Sequence, residues 1–232
     1  MARSGNFDIE RRGNLHEGSP QMRWAFIRKV YCLLCIQLLL TFGVSMAMFL
    51  CHPVRDFMQT TAGLLVLIAI AVVAIILLLI LMLCCMEHHP CNYVLSFLFT
   101  LAFAFVVGAA CCQRKGENVL LAAGLTLIIT VGLTLFTFVA AWGGWDFKFL
   151  GPFLFGALLL VASFALFRIF FHVGKIKGQV IACIGTLLFS GYIIYDTHKL
   201  IKRFDYDQYI EAAVSLYLDV IGLFLQLLST ND

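Results

Sequence analysis

The chain has 232 residues, 62% of them hydrophobic, with 16 Lys+Arg, 13 Asp+Glu and a mean hydropathy of +0.98. A water-soluble domain carries about 45–50% apolar and about 25% charged residues, so this chain has too little polar surface to cover a globule in water and reads as an integral membrane protein. Its net charge of +3, with no long basic patch interleaved with aromatics, argues against nucleic-acid binding.

In chain order, residues 1–22 are polar and contain Gly5, Gly13, Gly18, Ser19 and Pro20, which predicts a flexible cytosolic tail ahead of one membrane domain, residues 23–232. Seven apolar segments follow, at about 30–51, 62–86, 93–112, 119–142, 149–171, 179–200 and 212–228. Each approaches the ~20 residues that a helix needs to cross a ~30 Å hydrocarbon core. The alternation that a closed β-barrel needs is missing, so the expected fold is all-α, a bundle of seven transmembrane helices. The first segment follows Arg28 and Lys29, has no cleavage site and reads as a signal anchor. Cys32, Cys35, Cys84, Cys85, Cys111, Cys112 and Cys183 lie in or beside apolar runs and read as small hydrophobes, with no cofactor expected. After the second segment, Glu87, His88 and His89 precede Pro90; they are either a metal or pH-sensing cluster or a loop closed by proline. Gly151 and Pro152 open the fifth segment, where proline costs little.

The loop cations set the expected orientation. Arg11, Arg12, Arg23, Arg28, Lys29, Lys148, Lys199, Lys202 and Arg203 lie on the side of the N-terminus, against Arg55, Arg114, Lys115, Arg168, Lys175 and Lys177 on the other. The N-terminus is therefore expected in the cytosol. If the seventh segment dips in and returns, the C-terminus is cytosolic too.

Only Arg168, Asp196, Lys199 and Asp219 are charged within the spans. Such groups are costly in lipid unless paired or hydrated, so each is a functional candidate. Arg168 and Lys199 lie near helix ends and can snorkel to the interface. Asp219 cannot, being about 10–14 Å from either end of its helix. The sixth and seventh segments are joined by a short polar stretch, Phe204 to Glu211, which predicts an antiparallel hairpin. Asp196 and Asp219 are equidistant from its apex, position 207.5, and so lie at one depth. Depth does not fix rotation, and Asp196 could instead pair with Lys199 on the next turn. If the two carboxylates meet, they cannot both ionise cheaply, so the pair shares a proton and titrates as a unit. Ca²⁺, a hard cation that prefers oxygen ligands, would compete with that proton and give a pH-sensitive gate or ion site.

The stretches Arg23 to Tyr31 (RWAFIRKVY), His88 to Pro90 (HHP), Asp146 to Gly156 (DFKFLGPFLFG), Gly191 to Lys202 (GYIIYDTHKLIK) and Tyr209 to Leu228 (YIEAAVSLYLDVIGLFLQLL) carry a resemblance. The chain resembles the transmembrane Bax-inhibitor motif family, and within it the plant-like members of the Lifeguard branch. The resemblance implies a seven-helix bundle with the last helix central, in the endoplasmic reticulum, Golgi or plasma membrane. It implies a pH-sensitive Ca²⁺ leak, suppression of programmed cell death and a non-enzymatic role, with other membrane proteins of cell-death pathways as partners. Asp196 in YDT and Asp219 in YLDV match the family's proton-sensitive aspartate pair. Bacterial relatives latch that pair with an arginine in the second helix; residues 62–86 contain none, leaving Glu87, His88 and His89 as substitutes. Two other functions were weighed. A non-conducting scaffold or regulator of cell-death and stress-signalling proteins would use the aspartates only for packing. An intramembrane aspartyl protease would need GxGD and PAL motifs, and the second acid here stands in YLD.

Overall fold

The computed structural model describes residues 20–84, 91–171 and 178–230. Among them there is no strand, and the chain forms α1 (Pro20–Leu50), α2 (His52–Met58), α3 (Thr61–Cys84), α4 (Cys91–Cys112), α5 (Gly116–Trp142), α6 (Leu150–Phe171), α7 (Gly178–Lys202) and α8 (Tyr209–Thr230). Six of these, α1, α3, α4, α5, α7 and α8, are long and apolar enough to cross a bilayer. α6 is 22 residues long, and its apolar stretch among the described residues is Leu150–Val161. The multi-pass helical architecture expected from sequence is thus present among the described residues.

The surface is inside-out by the standards of a soluble protein. Leu39, Leu120 and Ile128 are 69%, 76% and 70% exposed, an arrangement that water would penalise and lipid tails favour. The last helix behaves in the opposite way. It packs against α1, α4, α5 and α7, and Ala213, Val214, Tyr217, Leu223 and Leu228 are among its buried residues. α8 is therefore the core of the bundle.

Two local departures have simple causes. α1 begins at Pro20, so residues 20–22, read above with the tail, are helical. Proline has no N–H to lose in a first turn and its φ already suits a helix. The connection after α1 contains the short helix α2, with Cys51 before it and Pro53 in its first turn, and Arg55 lies over the Phe49 ring at 4.8 Å.

A polar ladder ties α1 to α4 and α8. Gln37, Thr41 and Ser45 recur every four residues on one face of α1 and are all buried. Gln37 Nε2 donates to Ser96 Oγ at 3.3 Å and Thr100 Oγ1 at 3.1 Å, and Ser45 Oγ donates to the Ala104 carbonyl at 3.4 Å. Thr41 Oγ1 donates to the Gln37 carbonyl at 2.9 Å and lies 2.8 Å from Tyr217 Oη. The threonine has one proton and spends it on the carbonyl, so the tyrosine must be the donor in the second bond. That ordering makes the two partners unequal. Tyr217→Phe should lose roughly 1 kcal/mol, since Thr41 keeps its acceptor. Thr41→Val should lose more, about 1–3 kcal/mol, because it strands the Tyr217 hydroxyl in a fully buried site. Unfolding midpoints of the two variants in detergent check the order, and equal losses would contradict it.

Candidate functional site

The site begins with the α7–α8 hairpin. α7 ends as the Arg203 and Phe204 amides both donate to the Lys199 carbonyl, at 2.8 and 3.0 Å, and Phe204 is buried. The Asp205 amide donates to Gln208 Oε1 at 3.2 Å, and the Gln208 amide donates back to the Asp205 carbonyl at 3.0 Å. These bonds close the turn tightly enough for the two helices to run antiparallel in close contact.

Asp196 on α7 and Asp219 on α8 consequently lie close enough for their carboxyl groups to interact directly. Asp196 is half-buried, whereas Asp219 is 5% exposed and its Oδ2 has no hydrogen-bond partner. A hydrogen bond between two carboxyl groups needs a proton on one of them. Tyr192, one turn before Asp196, lies within the electrostatic reach of both acids. Lys199 is ion-paired with Glu211 of α8, at 3.7 Å, and sits over the Phe204 ring at 4.2 Å. Lys199 and Glu211 act on Asp196 only through their charges, with opposite sign. The alternative in which Asp196 takes Lys199 as its own partner is therefore not the arrangement seen.

The hairpin is fastened from α1. Arg23 Nε donates to the Ile201 carbonyl at 2.8 Å and Nη1 to the Phe204 carbonyl at 2.6 Å, while the guanidinium carbon lies 5.6 Å from the Phe26 ring centre and 5.9 Å from that of Tyr206. Phe26 and Tyr206 meet edge to face, 5.9 Å apart. Arg23 thus satisfies carbonyls that the end of α7 leaves without helical partners.

A second fastening involves the turn between α5 and α6. Gly144 has φ of 83°, a left-handed conformation that glycine adopts without steric cost. The chain beyond it returns toward α7. The Asp146 carboxylate is 2.9 Å from Lys148 Nζ and 3.7 Å from Nε2 of His198, a residue that is 1% exposed and meets the Phe147 ring edge to face. Lys202 Nζ donates to the Trp145 carbonyl at 3.1 Å. Lys148 holds the Asp146 carboxyl below the usual carboxylate range. A depressed carboxyl keeps its charge, and the pairing it supports, from the unfolded value upward and loses it only as pH falls through the lowered value. This contact is therefore intact at neutral pH. α6 approaches α7 beside the acids as well: a Cβ at Gly151 would fall 2.8 Å from Tyr195 Oη, so a larger residue there would displace that ring.

Of the residues singled out from sequence, Asp196 and Asp219 are brought together, while Glu87, His88 and His89 lie outside the described residues, as does the side chain of Arg168. His198, not singled out from the sequence, is buried against the α5–α6 turn. Arg23 was counted only as a loop cation, although Phe26 three residues on, one helical turn away, marks the same face. Among the described residues no three His, Cys, Asp or Glu side chains converge on one point. Cys32 and Cys35 are exposed on α1.

A bundle of long apolar helices, with apolar side chains turned outward and a buried last helix, defines the class: a multi-pass integral membrane protein. Residues 23–230 match the family model described as "Inhibitor of apoptosis-promoting Bax1". Protein LIFEGUARD 4 of Arabidopsis thaliana is 46% identical over 211 residues, covering 91% of this chain and 85% of the relative. Mouse Protein lifeguard 4 is 36% identical, covering 90% and 85%, and the Golgi anti-apoptotic protein of vaccinia virus (strain Lister) is 34% identical, covering 95% and 90%. The chain belongs to the Bax-inhibitor family, among its Lifeguard proteins.

Proposed function

We propose that this protein is a pH-sensitive Ca²⁺ leak that restrains programmed cell death, with Asp196 and Asp219 as its proton-operated gate. The observation that carries the reading is the meeting of these two carboxyl groups at the central helix, one of them with a buried oxygen lacking a partner. In low dielectric such a pair is cheapest with one proton or one cation between its members. A resident Ca²⁺ site takes about six to eight oxygens, so two carboxylates suit an ion that stops briefly and moves on. The anti-apoptotic role is supported by the description of the matching family and by the name of the viral relative, which also favours the Golgi membrane. The cation distribution favours a cytosolic N-terminus, and completing α6 as a span would give seven crossings.

Ca²⁺ flux into liposomes tests the reading. Wild type should change its flux severalfold as pH crosses the titration of the pair, and Asp219→Asn, which cannot lose a proton, should flatten the profile. A variant that leaks like wild type at every pH would leave the aspartates a packing role and favour the non-conducting scaffold.

A further inference from the structure

At the end of the bundle that carries the N-terminus, a cleft of about 440 Å³ opens where α1, α4 and α8 meet. Arg28 and Lys29 stand in its wall, Cys32 and Ile36 continue along α1, and Tyr93 and Tyr209 close it from α4 and α8. The two tyrosine hydroxyls hydrogen-bond to each other, and Lys29 Nζ rests 3.3 Å from the centre of the Tyr209 ring. Arg28, Cys32 and Ile36 are spaced four residues apart, so they form one stripe down the helix, with the cation at the level where α4 and α8 begin and the apolar side chains one and two turns deeper. All three are exposed. Among the described residues no acidic side chain lines the cleft; Asp207, which acts on Tyr209 electrostatically, is not part of its wall.

We propose that this cleft is a binding site for an anionic phospholipid of the leaflet at the N-terminal end. The phosphate seats between the Arg28 guanidinium and the Lys29 ammonium, and one acyl chain lies along Cys32 and Ile36. The argument is charge complementarity combined with depth. Two adjacent cations, with no acid among the described residues of the cleft wall, stand at the interface directly above an exposed apolar track that an acyl chain can cover. A soluble anion would meet the cations but not the track. A neutral lipid would cover the track but bring no net negative charge to the cations.

The full-length protein in neutral detergent should retain phosphatidic acid over phosphatidylcholine with identical chains by roughly thirtyfold, read by native mass spectrometry with the two lipids supplied together. Arg28→Gln with Lys29→Gln should abolish the preference. Ile36→Trp, which keeps both cations and fills the track, should reduce retention of phosphatidic acid about tenfold. Lys115→Gln, at the opposite end, should change nothing. Glycerol 3-phosphate, a headgroup without chains, should compete poorly. Equal retention of the two lipids by wild type, an undiminished preference in the double variant, or full competition by glycerol 3-phosphate would overturn the proposal. All these side chains but the tyrosines point outward from the core, and elution at the wild-type position confirms that each variant is folded.

Discussion

Arg23→Met is expected to lower the stability of the bundle by about 3 kcal/mol and to loosen the α7–α8 turn before the rest of the protein. The arginine gives two hydrogen bonds to backbone carbonyls, those of Ile201 and Phe204. Bonds from a charged donor contribute about 1.5–3 kcal/mol each, and removing the donor leaves two carbonyls at a helix end without partners. Methionine keeps most of the apolar stem but loses the ring contacts to Phe26 and Tyr206, each about 0.5–1 kcal/mol at a half-buried site. An offset comes from Nη2, a buried donor without a partner that the substitution removes. Arg23→Lys should recover only part of the loss, because a single ammonium cannot reproduce the planar fork that spans both carbonyls. Thermal unfolding in detergent gives the magnitude, and hydrogen exchange at residues 201–208 gives the location. A wild-type midpoint with unchanged exchange at that turn would show that α1 does not fasten the hairpin.

The importance of Arg23 could not be judged from its place in the sequence, and the reason is geometric. Segment lengths and hydropathy locate helices because the bilayer fixes how long an apolar run must be. They also fix depth, since two helices leaving one tight turn rise equally per residue, which is how Asp196 and Asp219 were placed at one level. Rotation about each helix axis is set by packing, and a chain apolar all round gives little periodic signal to read it from. His198 shows the consequence. It is two residues from Asp196 and therefore on another face, and only the return of the α5–α6 turn supplies Asp146 and Phe147 to cover it. The polar ladder is legible in the sequence: Gln37, Thr41 and Ser45 repeat every four residues in an otherwise apolar helix, a pattern that costs too much in lipid to be left unpaired. α2 offered no such cue, being only seven residues in a connection between spans.

Asp219→Val should make the protein more stable and less functional at once. The side chain is 5% exposed, carries an oxygen without a partner, and faces another carboxyl group. Removing a buried carboxyl group whose oxygen has no partner removes an unsatisfied polar group that costs about 1–3 kcal/mol. Valine is close to aspartate in volume, so overpacking is small, and its lower helix propensity costs about half a kcal/mol. Asp196 is left without its facing acid, half-buried and within reach of the Lys199 charge. The expected result is a gain of about 1–3 kcal/mol in detergent unfolding, together with Ca²⁺ flux that no longer responds to pH. A packing role for the pair predicts the reverse, since losing the interaction with Asp196 would then destabilise α7 against α8 and leave any flux profile unchanged. Stability and flux moving in opposite directions would mean that the acid is kept at the central helix for its proton and not for the fold.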